Sequence, residues 1–286
     1  HGALRKIIIC MDGTGNEVGA NESNILKLYK ALKKDDTQLV HYIPGVGTMD
    51  SPHLFGRWIQ KLKSVLGLAF GLWLEDDVLE AYLYVCRNYR TRADYARDAN
   101  APDAKAYHDD QIYVFGFSRG AYAALVLAGF IHYFGLIPRD RLHLAAQAFR
   151  AYRAVTYADR DAPDDVVFQQ LREYDLVLKP NRGVPIRCLG LFDTVSSMVR
   201  LPPIGFRWAT MKRWFGHVWK YKSLIDYGSQ ASVDNNPTVR SVSHALAVNE
   251  RRAMFRPQFW FVAMDDEGQP AGNWYFRNRF KRPAHK

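Results

Sequence analysis

The chain has 286 residues, 48% hydrophobic and 24% charged, proportions that exclude a disordered tail, a collagenous repeat and a disulfide miniprotein. Its 39 Lys and Arg against 29 Asp and Glu give a formal net charge of +10, which favours polyanionic partners such as nucleic acid or an anionic membrane surface. Three scattered cysteines (Cys10, Cys86, Cys188) exclude a disulfide framework and predict a reducing compartment.

Lys6 to Met11 (KIIICM) is a short β-branched run stopped by Asp12-Gly13-Thr14-Gly15, the pattern of a strand buried in a parallel sheet. Asn24 to Leu32 carries apolar residues at helical spacing, with Ser23 or Asn24 as its cap. Leu39 to Ile43 reads as a second strand. The longest apolar run, Val65 to Leu74, is ten residues, about half of what spans a bilayer. Asp76 to Tyr89 predicts a helix, acidic in its first turn and basic in its last, as the helix dipole prefers. Gln111 to Phe117 (QIYVFGF) is a buried strand, and Ala121 to Phe134 an apolar helix ended by Gly135. Two helices follow, over 139–155 and 164–174. Pro185 to Phe192 (PIRCLGLF) is a fourth strand, Thr238 to Arg252 a helix, and Gln258 to Met264 a fifth strand. This alternation predicts a mostly parallel, doubly wound α/β sheet in one domain over 1–286. Irregular insertions are expected at about 46–75 and 196–237.

The chemistry starts at Gly116-x-Ser118-x-Gly120, which directly follows a predicted strand and directly precedes a long predicted helix. That is the context of a nucleophile elbow, in which a tight turn presents the serine at the helix N-terminus. Glycines belong there because a Cβ on either side of the serine would clash within the turn. Arg119 then offers its backbone N–H as one oxyanion donor. The bland alternative is an ordinary strand-to-helix turn whose serine only caps the helix.

A serine nucleophile needs a base, and the base needs a carboxylate to orient it. Asp193, at the end of PIRCLGLF, is the best-placed acid; its alternative is a loop cap over 194–197. After it come only His217, His244 and His285. His217 lies in an aromatic-basic stretch and His285 close to the end of the sequence, so His244 is the candidate base, against a structural helix histidine. A second oxyanion donor is expected from the turn containing Gly13 and Thr14, where glycine permits close backbone approach. The same turn superficially resembles an aspartyl-phosphatase motif, but Cys10 stands where that nucleophile would be. No phosphate-binding glycine loop and no His or Cys pairing of metal-ligand spacing is present, so no cofactor and no metal are expected.

Five segments in fixed order carry a resemblance: 11–16 (MDGTGN), 44–48 (PGVGT), 116–122 (GFSRGAY), 189–195 (LGLFDTV) and 244–252 (HALAVNERR). Together, over about residues 5–260, they resemble the α/β-hydrolase family that includes type VI secretion phospholipase effectors. The resemblance implies an α/β-hydrolase fold, a Ser-Asp-His triad with Ser118 and Asp193 at matching positions, and phospholipase activity on membrane lipids. Family members usually continue into a strand ending Gly-Val-His-Ser-Asp, so a later histidine is the alternative to His244.

The expected function is therefore hydrolysis of a carboxylic ester, most plausibly of a lipid. Phe206 to Lys222 holds five basic residues, six aromatics and no acid, and would join the apolar stretch 54–74 in a cap that meets an anionic membrane surface. The alternative for both is a cap packed for stability. A competing class is a catalytically silent hydrolase fold whose basic surface binds an anionic partner, with no specific nucleic acid expected. No signal peptide is recognisable, although His1-Gly2-Ala3 reads as a processed start. A cytoplasmic location in the producing cell is expected, with any export using no cleavable signal.

Overall fold

The computed structural model describes residues 4–13, 22–45, 66–100, 107–156, 164–194 and 236–246. Among these, five strands form one parallel sheet: β1 (Lys6–Met11), β2 (Gln38–Ile43), β3 (Gln111–Phe117), β4 (Ile186–Phe192) and β5 (Val242–Ala245), in spatial order β2-β1-β3-β4-β5. The central strand β1 is apolar on both sides because helices cover both faces. Ile7, Ile9 and Met11 point to one face and Ile8 and Cys10 to the other.

On the second of these faces lies α1 (Asn24–Ala31), which packs Ile25, Leu28 and Tyr29 over Ile8, Cys10 and Phe115. Ser23 is its cap: the side chain accepts from the Leu26 N–H. The opposite face carries α2 (Leu66–Asn88) and α4 (Arg119–Phe134); between them in sequence lies the short α3 (Arg92–Asp98). Every residue of α4 from Gly120 to Leu125 is buried, so this helix forms the centre of the core. Its Phe130 ring meets Tyr82 of α2 at 4.4 Å. It also meets Phe149 of α5 (Ala145–Thr156) at 5.0 Å. Full burial of such aliphatic and aromatic side chains is worth about 1.5–3 kcal/mol each. A 3₁₀ turn (Arg139–Leu144) leads into α5, and α6 (Asp164–Leu178) leads back to β4. No helix of the described residues is long and apolar enough to cross a membrane.

The fold is thus a mostly parallel α/β fold of the α/β-hydrolase-like kind. Three expectations are corrected. Residues 242–245, expected within a helix over 238–252, form β5, because the exposed edge of β4 offers a ladder: Leu189 pairs with Val242 and Leu191 with His244. A four-residue segment has too little intrinsic helix preference to resist a sheet edge. Residues 66–75, expected as irregular insertion, are the first part of α2, which begins ten residues before the acidic turn at Asp76. The expected helix 139–155 is a 3₁₀ turn followed by α5. The short α3 went unread in the sequence, although Thr91 and Asp94 form its capping box. The expected strand 258–264, the aromatic-basic stretch 206–222, His217 and His285 lie outside the described residues.

Candidate active site

The chain leaves β1 towards β2 on one side and returns to β3 on the other, so the strand order reverses between β1 and β3. In open α/β sheets the crevice at the carboxyl ends of the strands flanking such a reversal receives ligands. Asp12 and Gly13 follow β1, and Ser118 follows β3, so both meet at this crevice.

Ser118 has φ 54° and ψ −116°, a strained backbone for a residue with a Cβ. It precedes α4 in the cap position, yet its side chain makes no capping hydrogen bond. The glycines on either side are dictated by backbone. A Cβ on Gly120 would stand 2.2 Å from the Met11 carbonyl oxygen, and one on Gly116 2.5 Å from the Ala121 Cα. The turn is pressed onto the end of β1, and only hydrogen fits between. Gly13 is close on the other side: a Cβ there would lie 3.1 Å from the Ser118 Cβ.

Asp193 stands one strand away. Register places Gly116, Leu191 and His244 in one row across β3, β4 and β5, with the Leu191 and His244 side chains on the same sheet face. Ser118 and Asp193 each lie two residues beyond that row. Two backbone bonds fix the tips: Ser118 N–H donates to the Phe192 carbonyl at 2.8 Å, and Asp193 N–H to the Ala245 carbonyl at 2.8 Å. Asp193 has φ 47°, so the chain turns sharply at the acid. Half-buried His244 has Nε2 at 3.0 Å from the hydroxyl of fully buried Thr194. Burial pushes the His244 pKa below its ordinary value, and the Asp193 carboxylate acts in the opposite direction. Acid and imidazole therefore sense one another.

At the head of α4, burial pushes the Arg119 guanidinium down to about 10, opposed by Asp77 of α2. Asp77 is pushed up to about 7 by burial, then by the charges of Glu80 and Asp76. The Gly13 N–H, expected as an oxyanion donor, points to its neighbour: it donates to Asp12 Oδ1 at 2.7 Å. Thr14, the other expected donor of that turn, lies outside the described residues.

Residues 5–275 match the family described as the catalytic domain of Tle1-like type VI secretion phospholipase effectors. The chain belongs to this family. The resemblance read from five motifs thus extends over almost the whole sequence. The Tle1-like domain is also 29% identical over 201 residues to the uncharacterized protein YEL023C of Saccharomyces cerevisiae, a match covering 68% of this chain and 27% of that protein. The chain therefore spans about a quarter of that relative's length. No solved structure matches.

Two residues near the candidate site were not singled out from the sequence. Thr194 enters through its contact with His244, and Asp77 through its place across from Arg119. Both depend on elements that are distant in sequence. Only the DT pair at 193–194 of LGLFDTV hinted at Thr194.

Proposed function

We propose that this domain is a serine hydrolase that cleaves carboxylic esters of lipids, acting as a lipase or phospholipase at membranes. The observation that carries the reading is Ser118: a strained turn, closed by two glycines that tolerate no Cβ, presents a hydroxyl that does not cap its helix. Membership of a phospholipase-effector family supports the lipid substrate.

In this reading Ser118 Oγ attacks the acyl carbon and its proton passes to His244. The carbonyl oxygen takes the negative charge and is met by the Arg119 N–H and by a donor of the Gly13–Thr14 turn. His244 then returns the proton to the leaving alcohol, and the acyl-enzyme is hydrolysed by water in a mirror of the first step. Asp193 stabilises the imidazolium. His244 must exchange its Thr194 partner for the Ser118 proton when substrate binds, a tightening common in sites that hold no ligand. The cations and aromatics of 206–222 and the apolar stretch 54–74 would contact the lipid surface, aromatics at headgroup depth and Lys and Arg on phosphates. The domain needs no cofactor and no metal for this chemistry.

A fluorophosphonate probe tests the reading. It should label the wild type on Ser118, mapped by peptide mass spectrometry, and leave Ser118→Ala unlabelled. Turnover of a short-chain nitrophenyl ester should disappear in the same variant, with the melting temperature unchanged. A wild type that neither labels nor turns over would return the silent binding module instead.

A further inference from the structure

Asp12 is a buried carboxylate, 3% exposed, at the carboxyl end of β1. Donors from three parts of the chain converge on it. Gly13 N–H reaches Oδ1 at 2.7 Å. Tyr42 of β2 donates its hydroxyl to Oδ2 at 2.8 Å. Ser23 donates its hydroxyl to the same oxygen while accepting from the Leu26 N–H at the start of α1. Asp12's backbone is fixed as well: its N–H donates to the Ile43 carbonyl at 3.0 Å, and its own carbonyl would lie 2.5 Å from a Cβ on Gly120.

A buried carboxylate is costly unless hydrogen bonds replace its water, and an apolar side chain would fill the same space more cheaply. What the carboxylate adds is direction. It folds Gly13 back towards β1, ties that turn to β2 and α1, and holds the glycine within 3.1 Å (as a virtual Cβ) of the Ser118 Cβ. It also engages the Gly13 N–H.

We propose that Asp12 is a positioning residue for the nucleophile: its hydrogen bonds hold the turn after β1 against Ser118. The proposal rests on the serine-hydrolase reading. A turn shifted by about 1 Å can cost about a hundredfold in rate while binding of the ester hardly changes. The signature is a fall in kcat at constant KM.

The experiment measures kcat and KM on a soluble nitrophenyl ester for wild type, Asp12→Asn, Asp12→Ala and Tyr42→Phe. Active sites are titrated with a fluorophosphonate run to completion, so that kcat is expressed per reactive serine. Asn keeps an oxygen for the Gly13 N–H, so kcat per site should fall about tenfold in Asp12→Asn and about a hundredfold in Asp12→Ala, with KM within about twofold. Tyr42→Phe, which keeps the ring and removes one anchor, should fall by about threefold to tenfold and decides the matter if Asp12→Ala does not fold. A merely structural role would lower the melting temperature and the titrated fraction but leave kcat per site at the wild-type value, and that result overturns the proposal. A wild type that neither labels nor turns over removes the hydrolase reading, and this inference with it.

Discussion

The amide of Ser118 donates to the carbonyl of Phe192 at 2.8 Å, across the tips of two neighbouring strands. One residue further along sits Asp193. The bond therefore locks the turn of the nucleophile to the turn of the acid, and a change in either tip is felt by the other. This is how a parallel sheet assembles a site from segments 75 positions apart (118 to 193): the register does the alignment and the loops only have to start in the right place.

The glycine at 120 should be irreplaceable. Gly120→Ala puts a Cβ 2.2 Å from the Met11 carbonyl oxygen, and the backbone there is held by β1 pairing on both sides. Overpacking of this kind should cost about 3 kcal/mol and most of the activity. Gly183→Ala is the control: φ is +77° but nothing lies within 4 Å, so only the left-handed backbone penalty of about 1–2 kcal/mol applies. Urea melts of the two variants should differ in that order.

His244→Ala should cost as much turnover as Ser118→Ala, because triad members act as a unit, and Asp193→Asn somewhat less but still orders of magnitude. The base must be neutral to accept a proton. Burial holds its pKa below 6.5, so the acid limb of kcat/KM against pH should lie below that value. Asp193→Asn removes the charge that favours the imidazolium and should move the limb lower still. An acid limb that stays in place in both variants would move the base elsewhere.

Asp77 predicts a pH dependence of stability. Its carboxyl is raised from 3.8 to about 7 on folding, so the native state binds a proton more tightly than the unfolded chain. The contribution is full below about pH 4 and is lost as pH rises through 7. Asp77→Asn cannot ionise, so its melting temperature relative to wild type should climb between pH 4 and pH 8. A difference independent of pH would show that the carboxyl titrates normally.

Charge reversal at Lys212 and Arg213 should weaken binding to anionic vesicles. Each cation near such a surface is worth about 1 kcal/mol, so losing two predicts at least about a thirtyfold drop, larger at low salt. Turnover of a soluble ester should stay near the wild-type rate. Cosedimentation with anionic and with neutral vesicles measures it, and equal binding by both proteins would assign the 206–222 stretch to a packed cap.

Much of the centre of this molecule could be read from the sequence because its signals are local. KIIICM is buried on both sides from Ile7 onwards, and QIYVFGF is buried on one side and half-buried on the other, so their apolar composition marks both as strands flanked by helices. The turn at 116–120 is equally local, since its two glycines answer clashes with backbone that the turn itself brings close. Other features needed partners far along the chain. SVSHALAVNERR has an apolar spacing that suits a helix, but the free edge of β4 claims 242–245 as a strand, and a ladder of backbone bonds outweighs a weak local preference. The first turn of α2, from Leu66, holds no acidic residue that would mark it. The contact of His244 with Thr194, the electrostatic influence of Asp77 on Arg119 and the donors around Asp12 arise only when β1, β2, β4, β5 and three helices are brought together. Sequence by itself determined which residue is the nucleophile candidate and what kind of sheet carries it. The tertiary structure decided what surrounds it, because charge and hydrogen-bond geometry depend on distances between strands that the order of residues does not contain.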